Sequence, residues 1–148
     1  MTMDAGSLKL IHRLIAVGSS SLMQYVCESF PWYADPAHAA QDAVVAMAAA
    51  ERDDAVRLSG FLAKRHLDQP APATYPSHFT TTNFCSLDYL LPKLVAEEGH
   101  TIAEVTTGLA SCGDETVRGM VQGILDRRRQ HLDTLKALAA PKPAAVPV

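Results

Sequence analysis

Between two long stretches of helical periodicity lies a segment, 68–83, that carries Pro70, Pro72, Pro76 and the run Thr80, Thr81, Thr82. Proline has no backbone N–H and disfavours helical geometry in the residue before it, so the segment reads as a loop. The helix that precedes it is expected to run for about 30 residues, roughly 45 Å, whereas about 16 extended residues reach up to roughly 55 Å. A turn at one end of a bundle needs only about 2 to 8 residues. So long a connection, about 68–85 in all, suits a return along the whole length of a bundle. The helices on either side of it are then parallel.

The periodicity supplies four helices around that loop. Leu8, Ile11, Ile15, Leu22 and Val26 mark one face of a first helix over about 5–30, with Gly18 inside the stripe. Pro31 and Pro36 bracket a break, and Asp35 before Pro36 reads as the cap of a second helix reaching about residue 66. Val44, Met47, Leu58, Phe61 and Leu62 form its inner face. Ser86 is the expected cap of the third helix, with Leu91, Leu94, Val95, Ile102, Val105 and Leu109 facing inward and a kink or later start at Pro92. Gly113 and Asp114 form a stop and a new cap. A connection that short implies an antiparallel neighbour, the last helix, over about 115–139. Pro141, Pro143 and Pro147 keep the tail, about 140–148, out of the helix. The reading is one all-α domain over 1–148, an antiparallel four-helix bundle with a single long crossover between helices two and three.

Composition narrows the function classes. With 48% hydrophobic and 20% charged residues the chain suits a globular domain, and its longest apolar run, 43–50, is far below the roughly 20 residues of a membrane span. His12, Arg13 and Asp4 are unlike a secretory leader, which makes a cytoplasmic protein the expectation. A net charge of −3 with one cationic cluster, Arg127 to Arg129, gives no reason to expect a nucleic-acid partner. Cys27, Cys85 and Cys112 are odd in number and lack Cys-x-x-Cys spacing, which argues against a disulfide framework or a zinc site, and buried thiols are expected. His12, His38, His66, His78 and His100 show no ligand spacing and read as surface or helix-end residues.

Each helix carries an anomaly near its midpoint on the inward stripe: Gly18; Glu51 with Asp54; Glu98; and Arg128 with His131. Helices in register bring these midpoints to one height. A lone buried charge costs several kcal/mol unless paired or metal-bound, so the groups are expected to meet. Tyr25, one heptad beyond Gly18, is expected either to donate to the carboxylates or to sit in the core on another partner.

These residues resemble the ferritin-like superfamily of bacterioferritins and rubrerythrins over all four helices and the crossover. Locally the likeness is best in Leu22-Met-Gln-Tyr25, in Gly113-Asp-Glu-Thr-Val, in Ile124-Leu-Asp and in His131-Leu-Asp. Members of that superfamily hold two irons with a Glu on the first helix, Glu-x-x-His on the second, Glu on the third and Glu-x-x-His on the fourth. By that resemblance the first ligand falls on Gly18, the second helix keeps Glu51 but has Asp54 for its His, and the third offers Glu98, with Glu97 as a competitor. The fourth retains His131 but has Arg128 for its Glu.

Two divalent cations need roughly four carboxylates, and a guanidinium cannot ligate a metal. The layer therefore reads as a degenerate di-iron site replaced by buried ion pairs, in a binding or structural protein without a complete ferroxidase ligand set and without a cofactor. The alternative is an oxidoreductase or iron-handling protein with iron or manganese on Glu51, Asp54, Glu98 and His131. A third reading is a small anionic ligand held by Arg128 in space left by Gly18. Gly119 and Gly123, on one face of the last helix, suit close approach within the bundle or across a homodimer. Phe30, Trp32 and Tyr33 suit a cap on the core or a partner surface.

Overall fold

A computed structural model describes residues 3–29 and 38–141. They form five α-helices, α1 (Ala5–Ser20), α2 (Leu22–Ser29), α3 (His38–Lys64), α4 (Leu87–Ala110) and α5 (Glu115–Ala139), with one 3-10 helix at Ser77–Thr82 and no strand among the described residues. None of these helices is long and apolar enough to cross a membrane. The expected cap at Asp35 and Pro36, the cluster Phe30, Trp32 and Tyr33, the side chain of His38, and the tail with Pro143 and Pro147 lie outside the described residues.

Local chemistry starts and stops most of these helices. Asp4 accepts from the Ser7 amide at 2.9 Å to begin α1, Ser86 Oγ accepts from the Tyr89 amide at 3.2 Å to begin α4, and Asp114 Oδ1 accepts from the Val117 amide at 3.0 Å to begin α5. Because α4 starts at Leu87 and runs through Pro92, the later start is ruled out. At the end of α3, His66 takes a left-handed φ of 56° and the Leu67 amide reaches back to the Leu62 carbonyl at 2.9 Å. That is a Schellman closure with histidine where glycine is usual.

The first helix differs from the expectation. It is two helices, because Ser21 leaves helical geometry at ψ 163° while the Ser21 amide still bonds the Val17 carbonyl and the Tyr25 amide still bonds the Ser21 carbonyl, each at 3.1 Å. The break thus occupies one residue. The loop differs as well, since Thr80, Thr81 and Thr82 turn their hydroxyls onto the carbonyls of Ser77, His78 and Phe79 and the short helix buries Phe79.

The apolar interior divides in two. One cluster gathers α2 (Leu22, Val26), the first half of α3 (Val44, Met47), the first half of α4 (Leu87, Leu91), Phe79, and Leu135 from the far end of α5. The other gathers α1 (Ile11, Leu14), the second half of α3 (Leu58, Leu62), Val105 and Cys112 at the end of α4, and the first half of α5 (Val121, Leu125). Between them lie Glu51, Glu98 and Arg128, each at most 5% exposed.

Candidate functional site: a buried carboxylate and guanidinium layer

Three helices deliver the layer. Glu51 is mid-α3, Glu98 mid-α4 and Arg128 mid-α5, and each follows the stripe of its own helix. Arg128 Nη1 donates to Glu51 Oε1 at 3.0 Å and to both oxygens of Glu98 at 3.0 and 3.1 Å. A single guanidinium nitrogen therefore bridges two carboxylates, rather than the two-nitrogen fork gripping one. Arg128 Nε is buried with no hydrogen-bond partner among the described residues.

The second oxygen of Glu51 is satisfied from the break between α1 and α2. Ser21 Oγ donates to it at 3.1 Å and the Gln24 amide at 3.2 Å, while the same Gln24 amide donates to the Ala48 carbonyl at 2.7 Å. Arg52 Nη1 closes the chain of contacts on Gln24 Oε1 at 2.8 Å. Glu97 and Glu98 divide the work: Glu98 faces the layer, and Glu97, half-buried, accepts from the Leu22 amide at 2.9 Å. A cavity of about 10 Å3, the size of one water, lies where Ser21 and Met23 meet Glu51, Glu97, Glu98 and Thr101.

The charges in this layer do not balance, and the proton affinities follow. Burial pushes the Glu98 carboxyl up to about 7, against the pull of Arg128 and with the help of the Glu51 charge. Burial also raises Glu97, an effect its bond from Leu22 opposes. Burial works against the charge on Arg128, yet Glu51 and Glu98 together hold it above its ordinary value. Arg128 stays a cation.

The remaining expected members stand elsewhere. Asp54 is gripped at the rim by Arg127, through Nη2 at 2.5 Å and Nε at 3.3 Å. His131 is half-buried and held below its usual range by burial and then by the Arg128 charge. Tyr25 leaves the layer altogether: the break at Ser21 redirects α2, and the phenol donates to Asn83 at 2.5 Å with its ring edge-on to Tyr75. Gly18 leaves no space. A Cβ built there falls 2.7 Å from Ala55 Cβ and 2.8 Å from the Glu51 carbonyl oxygen, so the glycine is where α1 and α3 touch backbone to backbone. At Gly119 and Gly123 the same test meets nothing within 4 Å, so neither serves close approach among the described residues.

The fit of a metal can be judged from these partners. Among the described residues no group of three or more His, Cys, Asp or Glu is arranged to hold an ion. Glu51 and Glu98 already turn to Arg128, and Asp54 to Arg127. The set Glu51, Asp54, Glu98 and His131 does not converge on a common point. The three cysteines are free, but only Cys112 is buried as expected, its Sγ 3.1 Å from Ser7 Oγ, whereas Cys27 and Cys85 are half-buried.

Reading the sequence alone misses Ser21, Gln24 and Arg127 as members of this network, and offers Glu97 only as a competitor of Glu98. A signal for the first two is present, since Ser21-x-x-Gln24 is the spacing of a capping box. In that motif the Gln side chain returns to the Ser amide, but here it goes to α3. No known protein family, curated protein or solved structure matches the chain.

Proposed function

We propose that the chain is a ferritin-like four-helix bundle, with α1 and α2 as one bent rod and residues 65–86 as the single crossover. In this reading it acts as a binding or structural protein without catalysis, its ion-pair layer standing where that superfamily places metals. The way the apolar clusters assort supports the topology: the first halves of α3 and α4 share one cluster and their second halves the other. Parallel helices of that kind, α3 being 27 residues and about 40 Å long, need a connection that travels the bundle's length.

The observation that carries the functional reading is the Arg128 Nη1 nitrogen shared by Glu51 and Glu98. A permanent cation covalently fixed in the layer supplies charge that two carboxylates would otherwise draw from a metal. Metal analysis of protein purified without chelator tests this directly. Iron and manganese far below one per chain are expected, whereas near-stoichiometric metal that is lost in Glu51→Ala and Glu98→Ala would overturn the reading.

A further inference from the structure

The break at Ser21 places a short helix over the charged layer on an unusual mounting. Regular helical hydrogen bonds persist on both sides of it, so the change of direction is concentrated in the ψ of one residue. The donors that a continuous helix would have used are taken up by side chains: the Leu22 backbone N–H by Glu97 from α4, and the Gln24 backbone N–H by Ser21 Oγ at 3.2 Å. Ser21 Oγ in turn donates to Glu51. The start of α2 is thus tied to the body by carboxylates of other helices as well as by its own backbone.

Eight residues supply the apolar hold on α2: Leu22, Met23 and Val26 are buried and Tyr25 and Cys27 pack beside them. That gain is of the same order as the backbone and side-chain freedom the segment loses when it docks, and buried Gln24 adds its bonds to α3. Where those opposing quantities nearly cancel, a few polar contacts decide how often the segment opens. Ser21 and Met23 also wall the small cavity against Glu51, Glu97 and Glu98, so that movement of α2 uncovers the layer.

We propose that α2 is a hinged flap, turning on Ser21 and latched by Glu97 and Glu51, which admits water and small ions to Arg128 and its two carboxylates. The flap depends only on the contacts of α2 and stands apart from the topology and role proposed above.

Hydrogen exchange on the full chain, resolved by residue, tests it. Amides of α2 are expected to exchange through an opening that leaves α1, α3, α4 and α5 protected. Glu97→Ala should speed exchange in α2 alone, by about tenfold, the effect of losing one charge-assisted hydrogen bond. Glu97→Gln should restore part of the protection, because its amide oxygen still accepts from Leu22 as a neutral acceptor. Exchange of α2 only in step with the long helices, an Ala effect spread equally over all helices, or a Gln variant as fast as the Ala variant would each overturn the flap.

Discussion

Arg128 is the residue on which the interior turns, and its value lies in what its absence would leave behind. Its side chain is about as buried as those of the leucines around it, and it bonds two carboxylates that have no other cation in the layer among the described residues. Removing one partner of a buried ion pair costs far more than the pair is worth, because the surviving charge stays desolvated. Arg128→Ala leaves Glu51 buried without a cation and Glu98, already raised to about 7, to take up a proton, so a loss of about 3–5 kcal/mol is expected in denaturant unfolding. An unchanged midpoint would show that the carboxylates find water or protons instead. The position of Arg128 is legible in the chain because a polar residue on an apolar helical stripe is conspicuous. Its partners Glu51 and Glu98 are legible for the same reason, being the carboxylates on the facing stripes; that Asp54 goes instead to the neighbouring Arg127 rests on geometry only the folded rim supplies.

Helix boundaries separate what local chemistry decides from what tertiary contacts decide. Ser86 and Asp114 are readable as caps because each bonds an amide three residues on, within its own segment. The break at Ser21 is unreadable as a stripe, because the acceptors that hold it, Glu51 and Glu97, come from other helices. One missed break displaces Tyr25, which turns up beside Tyr75 and Phe79, although Leu22 and Val26 beyond it stay buried as expected. Glycine shows the same division. Gly18 touches α3 so closely that Gly18→Ala must push helices apart, with an expected loss of about 1–3 kcal/mol. Gly119 and Gly123 face open space in α5, so alanine there should gain up to about 1 kcal/mol each from helix propensity. Thermal midpoints of the three single variants check both signs at once, and a midpoint lowered by Gly119→Ala or Gly123→Ala would mean that something packs against that face.

For the molecule as a whole, an interior carrying more carboxylate than cation makes stability a function of pH in a direction opposite to ordinary acid denaturation. Glu98 begins from an ordinary value of 4.5 and is raised to about 7 in the fold. Between those values the folded chain binds more protons than the unfolded one, so stability falls as pH rises. The contribution is fully present below about 4.5 and gone above about 7, and amounts to about 3 kcal/mol. Glu97, raised in the same direction, adds to the slope. His131 opposes it, because a histidine held below 6.5 is neutral in the fold and its stability is lost as pH falls through that value. Asp4 and Asp114, both lowered by the helix starts they cap, oppose it only in stronger acid, below about their ordinary 3.8. With one buried and one half-buried carboxylate against one half-buried imidazole, net stability should decline from pH 5 to pH 7.5. Glu98→Gln isolates the cause: its neutral amide oxygen still accepts from Arg128, leaving Glu51 and Arg128 as a balanced pair. That variant should match the parent near pH 5, exceed it above pH 7, and flatten most of the slope between. If urea midpoints of parent and variant instead run parallel across the range, the excess charge is carried by another group, and Glu97→Gln is the comparison that would find it.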